Sequence, residues 1–359
     1  MTSKAFELAR LSNAYSDGAL SNRNLIINGA MQVAQRGTSA TGITTSSWNT
    51  LDRWHTNGNN GTWTMSQETT GGPDGFSNSM KFLLTATEAI GNTSYWSVET
   101  LLEGQNLQHL AYGSSAAKTV TVSFWVKSNI TGTYCVNLYQ DDGSSNFPKT
   151  YTIDTADTWE YKTLSYTGNT ATALDNDNLK SLRTMFFLVA GSDMTSGSTG
   201  SRAAYTNATF AAGHSAQIDA VNDYWQITGV QLEIGDTSTP FEHRSYSDQL
   251  QACQRYFETN YDDGTALGSV VGNSITYGVS YRATSATNNY YSVPLKVIKR
   301  SAPTITIYNG VTGATGTWRG SSNTDRAISA NSNVGFININ GPANGDFIRS
   351  GFFAADAEL

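Results

Sequence analysis

The octapeptide Thr119-Val120-Thr121-Val122-Ser123-Phe124-Trp125-Val126 alternates without a break. Val120, Val122, Phe124 and Val126 fall on one side of an extended chain, and Thr119, Thr121, Ser123 and Trp125 on the other. Such alternation marks a half-buried strand, and β-branched and aromatic residues suit its pleated surface. Working outward, strands are expected at Trp63–Glu68, Met80–Ala86, Ser94–Leu102, Tyr134–Gln140, Trp159–Tyr166 and Arg183–Ala190. The run Met185-Phe186-Phe187-Leu188-Val189 is apolar on both faces, as a central strand requires. Turn clusters such as Asp141-Asp142-Gly143-Ser144-Ser145 separate these stretches, and many short strands with frequent turns indicate a two-sheet sandwich. In Tyr224–Ile234 the parity changes. Trp225 and Ile227 share one phase, and Val230, Leu232 and Ile234 the other, so a β-bulge at Gly229 would return all five to one face.

The flanks differ. Residues 3–15 read as a short helix, with Leu8, Leu11 and Tyr15 on one face and Asp17-Gly18 ending it. A helix that short needs something to dock on, which suits attachment or assembly. Pro240 closes the sandwich. Ser245–Phe257 reads as a second helix, with Ser245 and Asp248 at capping-box-like spacing. Tyr246, Leu250, Cys253 and Phe257 then form an a/d seam. Either this seam packs between chains, making Leu250, Cys253 and Phe257 an oligomer interface, or the helix lies on its own sandwich. Beyond Asp262-Asp263-Gly264, alternation at Ile275, Tyr277, Val279 and Tyr281, at Ile305 and Ile307, and over Val334–Ile339 indicates a small β module. The expected fold is therefore all-β: an attachment segment over 1–24, a jelly-roll β-sandwich over 25–244, a connecting helix over 245–264 and a second, smaller β-sandwich over 265–359.

Composition agrees. Of 359 residues only 14% are charged, against about 25% in an ordinary soluble domain. The 8 Trp, 18 Tyr and 14 Phe exclude intrinsic disorder, because they supply ample surface to bury. The net charge of −7, with 22 basic residues scattered among 29 acidic ones, argues against nucleic acid as a partner. No stretch approaches the ~20 apolar residues of a membrane helix, so no membrane insertion is expected. The opening Met1-Thr2-Ser3-Lys4-Ala5-Phe6-Glu7 lacks a signal-peptide core, so synthesis in a cytoplasm is expected. Cys135 and Cys253 read as free buried thiols.

Catalytic motifs are largely missing. There is no phosphate-binding glycine loop, and Gly213-His214-Ser215-Ala216-Gln217 lacks the last glycine of a nucleophile elbow. His55, His109, His214 and His243 have no metal-ligand spacing. Asp175-Asn176-Asp177 resembles the opening of a calcium loop, but Leu179 and Lys180 break it, so it reads as a polar turn. No cofactor or metal is expected, although a structural calcium ion between strands leaves no spacing signature. A glycosidase needs only two carboxylates at suitable separation, for which Glu99, Glu160 and Glu233 lie on strands. The positive signal is aromatic: Trp125 lies on the Thr/Ser side of its strand, Tyr139 on the side of Asn137, and Trp96 on the side of Thr100. Flat rings stack on sugar C–H faces and amides bind hydroxyls, so Trp96, Trp125, Asn137 and Tyr139 are candidate carbohydrate-binding residues. The competing reading is that a loop, helix or neighbouring subunit covers these rings.

Several segments together resemble bacteriophage tail-fibre and virion-appendage proteins. They are Asn24-Leu25-Ile26-Ile27-Asn28-Gly29-Ala30-Met31-Gln32-Val33-Ala34-Gln35-Arg36-Gly37 with Leu51-Asp52-Arg53-Trp54, then Thr121-Val122-Ser123-Phe124-Trp125-Val126-Lys127-Ser128. Tyr224–Gly235 with Thr239-Pro240-Phe241-Glu242, Cys253-Gln254-Arg255-Tyr256-Phe257 and the ending Asp356-Ala357-Glu358-Leu359 complete the set, in the same order as in that group. The resemblance implies a carbohydrate-binding-module-like jelly roll in a homotrimer on the virion, engaging host surface glycans. Without a long N-terminal anchoring domain, residues 1–24 would make the contact with other virion proteins. The group shares no fixed catalytic residues, so none is carried over and no enzyme activity is expected. Tyr290, Tyr291, Tyr308, Trp318 and Phe336 would then lie in a distal module. The alternatives are a structural or adaptor component of tail or capsid without glycan binding, and a polysaccharide depolymerase. The last lacks the β-helix repeats common in such spikes.

Overall fold

Residues 22–272, 279–282, 289–320, 323–341 and 347–359 are described by the computed structural model. The helix expected over residues 3–15, with its attachment role, lies outside the described residues, as does most of the strand expected around Ile275. Two compact units emerge: one holds the described part of Met1–Gln32 with Ala40–Trp48 and Trp54–Arg244, the other Val33–Ser39, Asn49–Arg53 and Ser245–Leu359.

In the first unit the alternating segments become β1 (Ser39–Ile43), β2 (Ser47–Trp48), β3 (His55–Gly58), β4 (Thr62–Glu68), β5 (Ser79–Ala86), β6 (Tyr95–Glu103) and β7 (Val120–Ser128). They continue as β8 (Gly132–Gln140), β9 (Ser145–Asn146), β10 (Pro148–Ile153), β11 (Glu160–Tyr166), β12 (Lys180–Ala190), β13 (Ala203–Ala204) and β14 (Tyr224–Ile234). The first sheet runs β1-β4-β5-β14-β7-β11 and the second β13-β9-β8-β12-β6-β3-β2, with β10 on β8. From β5 onward the chain repeatedly crosses between sheets, which makes this a jelly-roll sandwich. The inward residues meet as aromatics: Trp63 stacks on Trp96 at 5.3 Å, and Phe124 meets Phe186 edge-on at 5.1 Å.

β14 carries the expected bulge. Its register on β7 shifts between Thr228 and Gln231, and Gly229 sits at φ 61°. Trp225, Ile227, Val230 and Leu232 are all buried as a result. A Cβ at Gly229 would lie 2.6 Å from the Phe76 ring, so only glycine fits. Asn24 satisfies the backbone that the bulge leaves open. Its amide donates to the Val230 carbonyl at 3.0 Å, and its Oδ1 accepts from the backbone N–H of Leu232 at 3.1 Å and of Ile26 at 3.0 Å. Asn24→Ala strands these buried groups, so denaturant unfolding is expected to show a loss of about 3 kcal/mol.

The second unit is also a two-layer β-structure. A helix, Tyr246–Gln254, is capped by Ser245, which accepts from the Asp248 N–H at 3.2 Å. The strands are β15 (Phe257–Thr259), β16 (Val279–Arg282), β17 (Asn289–Pro294), β18 (Thr304–Asn309), β19 (Thr317–Gly320), β20 (Asp325–Ala327), β21 (Ser329–Ser332), β22 (Phe336–Gly341) and β23 (Phe347–Asp356). β15, β16, β18 and β19 all pair with β23, while β17-β22-β21 form a separate sheet. Trp318, Ile307, Phe353, Ile337 and Ile339 fill the space between. The helix ends three residues before Phe257, because Phe257 opens a strand paired with Asp356. Cys253 and Phe257 are buried within this unit and Leu250 is half-buried. This corrects the inter-chain seam: two of its three residues are core. Cys135 and Cys253 are both buried free thiols.

The segments Val33–Gly37 and Leu51–Arg53 were expected inside the jelly roll, but they belong with the second unit. Charge explains this. Buried Arg36 lies 3.2 Å from Glu358 and 3.8 Å from Asp52, and buried Arg53 pairs with the other oxygen of Glu358. The guanidinium of Arg36 lies 3.6 Å from the Phe257 ring centre and that of Arg53 3.5 Å from that of Tyr256. A buried cation is tolerable only beside such partners. Burial pushes the Asp52 carboxyl up to about 7, although Arg36 and Gln35 pull it down. Folding therefore favours its protonated form, and this contribution is lost as pH rises from 3.8 to about 7. Denaturant unfolding at pH 5 and pH 8 should show the second unit weaker at pH 8, and Asp52→Asn should reduce the difference.

Candidate functional site

The four candidate carbohydrate residues fall in three places. Trp96 is fully buried against Trp63 in the sandwich core, which corrects its assignment to a binding face. Asn137 is also fully buried. Its amide donates to the Phe210 carbonyl at 2.9 Å and its Oδ1 accepts from the Phe147 N–H, also at 2.9 Å. The cover over it is the helical turns Ser192–Thr195 and Asn207–Phe210, which place Met194, Phe210 and Ala211 against Cys135, Met185 and Phe187. Tyr139 is buried in the same cluster, its ring 4.4 Å from the Arg183 guanidinium, which corrects its assignment to a binding face as well. Only Trp125 stands half-buried on an outer sheet face, that of the first sheet.

There it has a partner that alternation alone did not single out. Tyr161 of β11 lies directly opposite Trp125 of β7, their rings 5.3 Å apart and inclined by 51°. Tyr161 is 43% exposed. Thr228 is the neighbour of Trp125 on β14, and exposed Thr163 follows Tyr161 along β11. Along the other direction of the face stand Lys127, its ammonium 5.0 Å from the Trp159 ring centre, and Lys81, 4.8 Å from that of Tyr224. The Trp159 indole donates to the Gly71 carbonyl at 2.7 Å, which fixes the loop between β4 and β5 beside the platform.

The rest of this face is closed. Thr121 donates to the Gly235 carbonyl at 2.8 Å, and Glu233 accepts from the hydroxyl of Thr239 at 2.6 Å and from its N–H at 2.8 Å. Phe76, Phe241 and His243 cluster beside the bulge. The expected cover thus exists, but it stops short of Trp125 and Tyr161.

On the outer face of the second sheet, Glu99 lies 3.0 Å from His55 Nδ1 and 3.5 Å from Arg183, which also makes two 2.9 Å bonds to Asp141. Burial raises the Glu99 carboxyl, but His55 and Arg183 outweigh this and hold it below the usual carboxylate range. Glu160 is likewise spent, accepting from the Asp154 and Thr155 N–H groups and pairing with Lys162 at 2.6 Å. The three strand carboxylates singled out in the sequence are each held by local partners. Among the described residues no group of three or more His, Cys, Asp or Glu could hold a metal ion. In the calcium-like segment, the Leu174 and Asp175 carbonyls accept from the Gln108 amide at 3.2 and 3.1 Å.

No family model matches the sequence, and no curated relative matches it. Solved structures resemble it in outline. One is the bacteriophage CBA120 tailspike protein 4 enzymatically active domain, at 11% identity and TM-score 0.33, covering 59% of this chain and 22% of the other. This chain therefore spans about a fifth of that protein's length. Another is TmCBM61 in complex with β-1,4-galactotriose, at 9% identity and TM-score 0.31, covering 60% of this chain and 100% of that one. A third is the family 11 carbohydrate-binding module from Clostridium thermocellum in complex with a mixed-linked tetrasaccharide, at 14% identity and TM-score 0.28, covering 56% and 99%.

The burial of Trp96 sets a control. Trp96→Phe is expected to cost about 1–2 kcal/mol in thermal unfolding while leaving every ligand affinity unchanged.

Proposed function

We propose that the protein is a glycan-binding virion fibre or appendage component that adheres to host-surface carbohydrate without cleaving it. The observation that carries the binding reading is the cross-strand pair of Trp125 and Tyr161, open on a hydroxyl-bearing sheet face. Two inclined rings offer apolar area to the C–H face of a pyranose, and the hydroxyl of exposed Thr163 stands beside them. The virion assignment rests on the ordered resemblance of Asn24–Gly37, Leu51–Trp54, Tyr224–Gly235 and the C-terminal residues to phage fibre proteins. The structure gives those segments concrete work: Asn24 secures the bulge, and Arg36, Asp52, Arg53 and Glu358 form one buried cluster. The non-enzymatic reading is supported by the engagement of Glu99, Glu160 and Glu233 with separate local partners. Assembly as a homotrimer would add avidity to weak single sites.

The test is sedimentation of the full chain with envelope polysaccharide from candidate host cells. Trp125→Ala and Tyr161→Ala should each weaken saturable binding about tenfold with unchanged thermal unfolding. Equal binding by both variants would reject the platform. Release of reducing ends would instead favour the depolymerase.

A further inference from the structure

We propose that the Trp125–Tyr161 face takes an acidic glycan, whose anionic substituent (a carboxylate, phosphate or sulfate) lies between Lys81 and Lys127. The inference rests on the glycan-binding reading and names the substrate class of that site. Lys81 of β5, Gln226 of β14 and Lys127 of β7 are direct register partners across three adjacent strands. Strands lie about 4.8 Å apart, so the two lysines leave the sheet roughly 10 Å from each other, within reach of one small anion. Both are half-buried, and each ammonium rests over a ring, Tyr224 or Trp159.

Neither forms an ion pair among the described residues. Two acids lie nearby without pairing with either lysine among the described residues: Glu68, which accepts from the Ser66 hydroxyl at 2.6 Å, and Asp157, which accepts from the Tyr224 hydroxyl. Desolvation and then the charge of Lys81 hold the Lys127 ammonium below its ordinary range, against the opposing pull of Asp157 and Glu68. Two cations that repel each other on one face gain from a shared anion. Trp125 precedes Lys127 by two residues on the same strand and face, about 7 Å away. A pyranose stacked on Trp125 and Tyr161 therefore brings a substituent of the same or the next sugar to the lysines. The net charge of −7 makes the attraction local to the two lysines.

The experiment compares the full chain binding polygalacturonate, dextran sulfate and uncharged dextran at low and high salt. Acidic polymer should bind, and its affinity should fall about tenfold at high salt as the lysines are screened. A Lys81→Gln/Lys127→Gln double variant should lose about tenfold at low salt and most of the salt dependence. Trp125→Ala should weaken binding at both salts. Retention of carboxylate polymer alone, or of sulfate polymer alone, identifies the anion. Dextran binding as well as the acidic polymers, or a double variant indistinguishable from the parent, overturns the acidic class. If Trp125→Ala still weakens binding in that case, the glycan platform stands. Binding to none of the polymers overturns the acidic class, and the platform is then judged by the envelope-polysaccharide test alone.

Discussion

One extra residue in β14 governs the jelly roll. A strand has a side-chain period of two, so Trp225 and Ile227 cannot share a face with Val230 and Leu232 unless the register slips between them. The slip at Gly229 puts all four in the core and leaves Gln226, Thr228, Gln231 and Glu233 on the outer face. That outer face is where the platform stands. Phe76 occupies the space that a Cβ at Gly229 would take, and Asn24 ties off the backbone groups opened by the bulge. The glycine, the ring above it and the distant asparagine are therefore one device.

The second unit depends on a different physics. Arg36 and Arg53 are buried to a degree that only paired, desolvated carboxylates make tolerable. Glu358 serves both guanidinium groups, one oxygen to each, so the last residues of the chain are held to segments more than three hundred positions earlier. Lys299 repeats the pattern at the buried Glu258 carboxylate, 2.6 Å away, and Arg300 donates to the carbonyls of Ala357 and Glu358, both at 2.6 Å.

Much of the sandwich was legible because alternation is a local signal. The strands at Thr119–Val126, Tyr134–Gln140 and Arg183–Ala190 were readable from side-chain parity, and the bulge from a parity break at a glycine. Burial on the outer faces was not. Tyr139 and Asn137 have the polar-side parity of Trp125, yet Met194 and Phe210 arrive over this face from a segment more than fifty residues later. Trp96 likewise gives no local sign that it will stack on Trp63. Tyr161 was missed as a site residue because its importance comes from facing Trp125 across two strands, a long-range register. The grouping of Arg36 and Arg53 with Glu358 is equally nonlocal; charge on the page of a sequence does not say which charges will be buried together.

The platform differs from the charged cluster on the second sheet in what it leaves free. Arg183, Glu99, His55 and Asp141 satisfy one another, whereas Trp125 and Tyr161 present ring faces and Lys81 and Lys127 form no ion pair among the described residues. A direct test is to follow the indole N–H resonances of the 8 tryptophans during titration of the full chain with oligogalacturonate. Trp125 and Trp159 are expected to shift while the buried Trp63 and Trp96 stay in place. Shifts confined to Trp48, beside His55 on the second sheet, with Trp125 unmoved, would contradict it.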